Sequence, residues 1–265
     1  MIDYTTQLKL RQQFNPDGSP LRQLQIRLLD LLRFFDDFCN EHGIKYWLSS
    51  GTCLGAIRHG GFIPWDDDVD VEMLDEDYQK LLYEFGIHSK GNYVIQSQLN
   101  DENYIMPFAK LRDLNTVISE KFGYDKKYKY KGLFIDIFHL TKSNSYWAHR
   151  IAGIIYWRSI YCDNNLISKV KKSIFKCVYI TIYPILKLID SLKNTSILRH
   201  KLGSSYHAKR EYKDIFPLKY VRFENLLLPV PNNYESYLSK IYGDYENLPD
   251  LNSIHTHITD YKVIK

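Results

Sequence analysis

The stretch from Gly51 to Met73, GTCLGAIRHGGFIPWDDDVDVEM, decides the fold, because it joins a glycine-threonine turn, a short helical run and an acidic strand. In the strand, Asp68, Asp70 and Glu72 alternate with Val69 and Val71, so all three acids are expected on one face. Side chains two apart on a strand lie roughly 7 Å from one another, close enough for two carboxylates to grip hard cations between them. Asp66 and Asp67 approach from the entry loop. Most aspartate runs are solvated turns, but here the valine face asks for burial and fixes the acids on a rigid edge. A calcium loop is excluded, since the glycine and glutamate it requires at its sixth and twelfth positions are Val71 and Asp77. Upstream, Ser50-Gly51-Thr52 sits between a strand and a helix, where backbone N–H groups and the helix start favour an anion. A simple tight turn is the plain alternative.

A third acid lies in GLFIDIF, residues 132–138, where Asp136 interrupts an apolar strand. A buried unpaired carboxylate costs several kcal/mol, so Asp136 calls for a metal, a cation or several donors; a salt bridge to a Lys or Arg is the structural alternative. The basic candidates for a polyphosphate are Arg58, Lys110 and Arg112, with Arg suited to bidentate contacts. Each singly could be an ordinary surface charge.

Around these motifs the chain alternates helix and strand. Helical spacing of Leu21, Leu24, Leu28, Leu31, Leu32, Phe35 and Phe38 predicts a helix over 21–42, ended by Gly43. Strands are expected at 44–48, 68–73, 93–98, 105–111, 133–138 and 226–230. Helices are expected at 53–59, 76–85 with Asp75 as cap, 146–161, 174–192 and 234–242. The fold class is mixed α/β (α+β), divided into a polar lead-in (1–20), a core (21–145), a helical basic and apolar insertion (146–210) and a C-terminal part completing the core (211–265).

Composition narrows the function. The 265 residues are 45% hydrophobic and 25% charged, which excludes a disordered or fibrous chain. The net charge of +4 is too small for a general nucleic-acid binder, so no nucleic acid is expected as partner. Cys39, Cys53, Cys162 and Cys177 form neither a disulfide framework nor a zinc spacing, and the polar N-terminus does not resemble a signal peptide. A reducing, cytoplasmic setting is expected. The basic charge is local: Lys169–Arg210 holds ten Lys/Arg against Asp190 alone, leaving the rest of the chain with 25 basic and 30 acidic residues. Inside it lies IFKCVYITIYPILKLIDSL (174–192), too short and too interrupted to span a bilayer, which takes about 20 apolar residues. Two readings stay open: peripheral docking on the inner face of a membrane, or a core helix built on Ile174, Val178, Ile182 and Ile185.

The run WLSSGTCLGAIRHGGFIPWDDDVDVEM resembles the signature of the LicD family, which includes bacterial phosphocholine transferases and, more distantly, the human fukutin-related protein. The likeness extends to His42-Gly43-Ile44, KLRD (110–113), GLFIDIF and LPVPNNYESYLSKIYGDYENLP (228–249), but not to residues 145–210. The resemblance implies a nucleotidyltransferase-like fold that moves a phospho-alcohol, phosphocholine first among them. The donor would be CDP-linked, CMP would be released, and the acceptor would be a hydroxyl of a cell-surface glycan or its lipid-linked precursor. It implies Mg²⁺, with Mn²⁺ able to replace it, on Asp68 and Asp70 with Asp66 as a further ligand. Asp136 matches the third acid, as general base or as completion of the metal site. Gly51 and Thr52 match the phosphate-contacting turn, with Arg58, Lys110 and Arg112 as donor-binding cations. His255 and His257 are given no role. A nucleotidyltransferase moving CMP or AMP to a small molecule, and a non-catalytic glycan-binding relative, are the alternatives.

Overall fold

The computed structural model describes residues 2–264 except 87, 89, 122, 144, 161–165, 192–194, 201–207 and 255. In chain order the elements are α1 (Tyr4–Phe14), α2 (Pro20–Glu41), β1 (Trp47–Leu48), α3 (Ser50–His59), β2 (Asp70–Leu74) and α4 (Asp75–Phe85). Strands β3 (Tyr93–Gln96), β4 (Ala109–Asp113), β5 (Thr116–Glu120) and β6 (Leu133–Lys142) follow. Next come helices α5 (Tyr146–Ile160) and α6 (Leu166–Ser191), strands β7 (Ile197–His200) and β8 (Arg210–Glu211), and the short α7 (Tyr212–Ile215). The hairpin β9 (Lys219–Phe223) and β10 (Leu226–Val230), helix α8 (Tyr234–Tyr242) and β11 (Ile258–Val263) end the chain.

Helix α2 carries the packing. Ser19 caps it by accepting from the Arg22 N–H, and Pro20 opens it with a φ already suited to a helix. Its stripe of Leu24, Leu28, Leu31, Leu32 and Phe35 is buried in one core with Val71 and Met73 of β2, Leu111 of β4, and Ile135 and Ile137 of β6. The valines between the acids therefore do face the interior, which anchors the acidic edge.

The main sheet runs β1-β2-β6-β4-β3, with β7 pairing β6 beside them and β8 pairing β7. Strands β2 and β6 are parallel and the other pairs antiparallel. The parallel register sets Asp70 opposite Asp136, and the antiparallel register of β4 sets Lys110 opposite Asp136. This is the expected mixed α/β sheet flanked by helices.

Several local expectations are corrected. The lead-in 1–20 contains α1, capped by Asp3 and burying only Leu10, a helix with too little apolar periodicity to read. Strand β2 starts at Asp70, so Asp68 stands in the turn before it. Asp75 lies in the first turn of α4, and Leu74 occupies its N-cap position. Of the helix expected at 174–192, residues 174–191 are part of a longer helix, α6, which begins at Leu166, and 192 lies outside the described residues. Among the described residues, the segment 146–210 is helical in α5 and α6 and returns to the sheet through β7 and β8. Strands β5 and β11 pair with each other, which no local pattern announces. Cys39, Cys53 and Cys177 are free thiols, and Cys162 lies outside the described residues.

Candidate active site

The glycine turn and the acidic turn are fastened together. Ser50, which opens α3, holds a left-handed φ of 46°, a conformation costing a non-glycine residue of order 1 kcal/mol and often kept at functional turns. A Cβ on Gly51 would stand 3.0 Å from Asp66 Oδ2, so the bare backbone is what lets this carboxylate approach the helix start. Thr52 Oγ1 accepts a 2.8 Å hydrogen bond from the Asp70 N–H, pinning the start of β2 to α3. Gly51 and Thr52 thus serve the acids directly.

Four carboxylates, Asp66, Asp68, Asp70 and Asp136, form one electrostatic cluster. Asp66 is pushed well above the usual carboxylate range, first by burial and then by Asp68, with which it shares a hydrogen bond. Asp70 is pushed well above it too, by burial and by the charges of Asp68, Asp136 and Asp66. Asp68 is raised less, because His257 opposes its burial. Asp136 is raised to about 6 by burial, against the pull of Lys110. Lys110 Nζ lies 2.8 Å from Asp136 Oδ1 and over the Phe134 ring. Half-buried carboxylates that raise one another's pKa cannot all ionise without added positive charge. Hard oxygen donors short of positive charge are what a divalent cation such as Mg²⁺ requires, so the residues present fit one.

Among the described residues, one compact donor set differs from the expected one. Ligand atoms of Asp66, Asp67, Asp68 and His257 all lie within 4.8 Å of one another, and Asp70 stands outside that group. Asp67 accepts from the backbone N–H groups of His257 at 2.9 Å and Ile258 at 2.7 Å, tying β11 to the acidic turn. His257 Nδ1 lies 3.2 Å from both Asp67 Oδ1 and Asp68 Oδ2. Its pKa rises to about 9, first through the hydrogen bond to Asp67. Sequence reasoning passed over His257, and the His-Thr-His spacing was the one available signal. His255 lies outside the described residues.

Two of the expected phosphate cations are held elsewhere. Arg58 donates to the carbonyls of Tyr245 and Asn247 at 2.9 and 3.0 Å, closing the C-terminal segment over the end of α3. Arg112, fully buried, donates to Gln96 Oε1, the Gly132 carbonyl and Glu120 Oε1. Of the three, Lys110 alone reaches one of the four clustered acids. Glu72 does not join its neighbours. Its Oε1 accepts from Arg210 at 2.8 Å with His200 Nε2 3.0 Å away, and its Oε2 accepts from Trp47 Nε1 and the Tyr237 hydroxyl.

Residues 43–159, which carry all four acids, match the family described as LicD/FKTN/FKRP, nucleotidyltransferase domain. The chain is 27% identical over 255 residues to the lipopolysaccharide cholinephosphotransferase LicD of Haemophilus influenzae, covering 86% of this chain and 92% of that one. It is also 57% identical over 50 residues to the human ribitol 5-phosphate transferase FKRP, covering 19% of this chain and 10% of that one. A 50-residue match to human FKTN, a ribitol-5-phosphate transferase, is 42% identical. A family match over residues 43–159, centred on the acidic turn, and likeness to one relative along nearly the whole length make the chain similar to the LicD family.

Proposed function

We propose that this protein transfers a phospho-alcohol group from a CDP-linked donor to a hydroxyl of a cell-surface glycan or its lipid-linked precursor, releasing CMP. The observation that carries the reading is the cluster of Asp66, Asp68, Asp70 and Asp136 beside the glycine turn, in a chain similar to a cholinephosphotransferase over nearly its whole length. Phosphocholine is the first choice of group, because the likeness to the ribitol phosphate transferases covers only a short segment. A reducing, cytoplasmic setting is part of the proposal, in keeping with four cysteines that have no disulfide-framework spacing.

Asp66, Asp68 and Asp70 would hold a divalent cation, Mg²⁺ or Mn²⁺, with His257 and Asp67 bracing the turn. Such a cation supplies charge neutralisation for a diphosphate and for the leaving phosphate. Asp136, with its pKa near 6, takes the proton from the acceptor hydroxyl as the oxygen attacks phosphorus and the bond to the CMP oxygen breaks. Lys110 keeps Asp136 ionised enough to act as that base. The start of α3, with Gly51 and Thr52, faces the donor phosphates.

Incubation with CDP-choline, CDP-ribitol and CTP in separate reactions, with a glycan extract as acceptor, tests the reading. CMP release that requires both acceptor and divalent cation is expected. Pyrophosphate release from CTP in place of CMP release would transfer the site to nucleotidyl transfer and overturn the proposal.

A further inference from the structure

Outside the acidic site, the largest unexplained feature is the pair α5 and α6. Helix α6, at 26 residues and about 1.5 Å per residue, is roughly 39 Å long. It packs one side on α5, where Tyr183 and Leu186 meet the buried Ala148 and Ala152. The opposite side is apolar as well: Leu166, Val170, Ile174 and Ile185 are each more than half exposed, at spacings that keep them on one stripe. Of the four positions of the core-helix reading, Ile174, Ile182 and Ile185 are exposed and Val178 is half-buried, so that reading does not describe the helix. Trp147 of α5 is 67% exposed.

The charges beside the stripe have one sign. Lys169, Lys171 and Lys176 are exposed, and Asp190, the only acid in α6, is buried and accepts from the Ser145 N–H. A second copy of the same face would set lysines against lysines. An acidic apolar surface would satisfy both the stripe and its border, and no helix of the described residues is long and apolar enough to cross a membrane. We propose that α6, with Trp147 of α5, lies in the headgroup plane of an anionic lipid bilayer, its apolar stripe inserted and Lys169, Lys171 and Lys176 on the lipid phosphates. The proposal is independent of which group the active site transfers.

Co-sedimentation with vesicles of phosphatidylcholine, alone or mixed with phosphatidylglycerol, tests it on the full chain. Binding to the mixed vesicles at low salt, lost at high salt and absent with phosphatidylcholine alone, is expected. Lys171→Gln with Lys176→Gln should weaken partitioning about fivefold per lysine, on the order of 25-fold for the pair. Ile174→Ser with Ile185→Ser should weaken it further, with circular dichroism reporting that the helices persist. As a second readout on unaltered protein, Trp147 emission should shift to the blue on adding mixed vesicles. Protein left in the supernatant with mixed vesicles at low salt overturns the proposal. So does a dimer in sedimentation velocity that dissociates with the Ile174→Ser pair while vesicles remain unbound; the stripe would then belong to a second copy.

Discussion

Replacing Arg210 by Met should remove the cation that makes the burial of Glu72 tolerable. Glu72 is 0% exposed and two residues beyond Asp70 on β2, so its stability bears directly on the acidic edge. Its carboxylate is held well below the usual range by Arg210 and His200 against a large burial penalty. Deleting one partner of a buried pair costs about 3–5 kcal/mol, a large part of the 5–15 kcal/mol that holds a typical domain together. Part of that loss should return in the double variant Glu72→Gln, Arg210→Met, because no buried charge is then left behind. The pH dependence has a definite sign. In the parent, Glu72 contributes stability above its unfolded pKa and loses it as pH falls through its depressed folded pKa. With Arg210 gone, burial raises that pKa above the unfolded value, so acidification protonates the group in the folded state and relieves it. The gap between parent and variant should be widest near neutrality and shrink below about pH 5. Urea unfolding at several pH values measures it. A loss under about 1 kcal/mol at neutral pH, or no recovery in the double variant, refutes the reasoning.

The remaining predictions concern the site. Asp70→Asn or Asp68→Ala should lower the transfer rate on the order of 10³-fold with little change in the unfolding midpoint; near-normal turnover of Asp70→Asn would mean the carboxylates are misassigned. His257, whose pKa is raised to about 9, stabilises the chain fully below its unfolded pKa, and that contribution fades as pH rises through about 9. In a chelator-containing buffer, thermal melts of the parent should therefore fall more steeply between neutral and alkaline pH than those of His257→Gln, and parallel curves would refute the pairing.

Much of the site was legible because its signals are local. The valines between Asp68, Asp70 and Glu72 had to be buried, and Val69 and Val71 are. Leu226–Val230 and Tyr234–Tyr242 follow their patterns to the residue, since turn residues bound them on both sides. Local pattern failed where a side chain's partner is distant in sequence. Alternation put Glu72 with the other acids, but β8 delivers Arg210 to it from 138 residues away. Arg58 and Arg112 read as phosphate cations because Arg is suited to phosphate, while the fold turns them to backbone carbonyls and internal acceptors.

The sequence by itself determined the fold class, the acidic strand and the turn that meets it, because period-two alternation and glycine placement are imposed by backbone geometry. Only the tertiary structure decided which acids lie together. The parallel pairing of β2 with β6 put Asp136 opposite Asp70, β4 placed Lys110 beside it, and β11 brought His257 to Asp67 and Asp68. Registers between distant strands depend on the whole core, and no window of local sequence contains them.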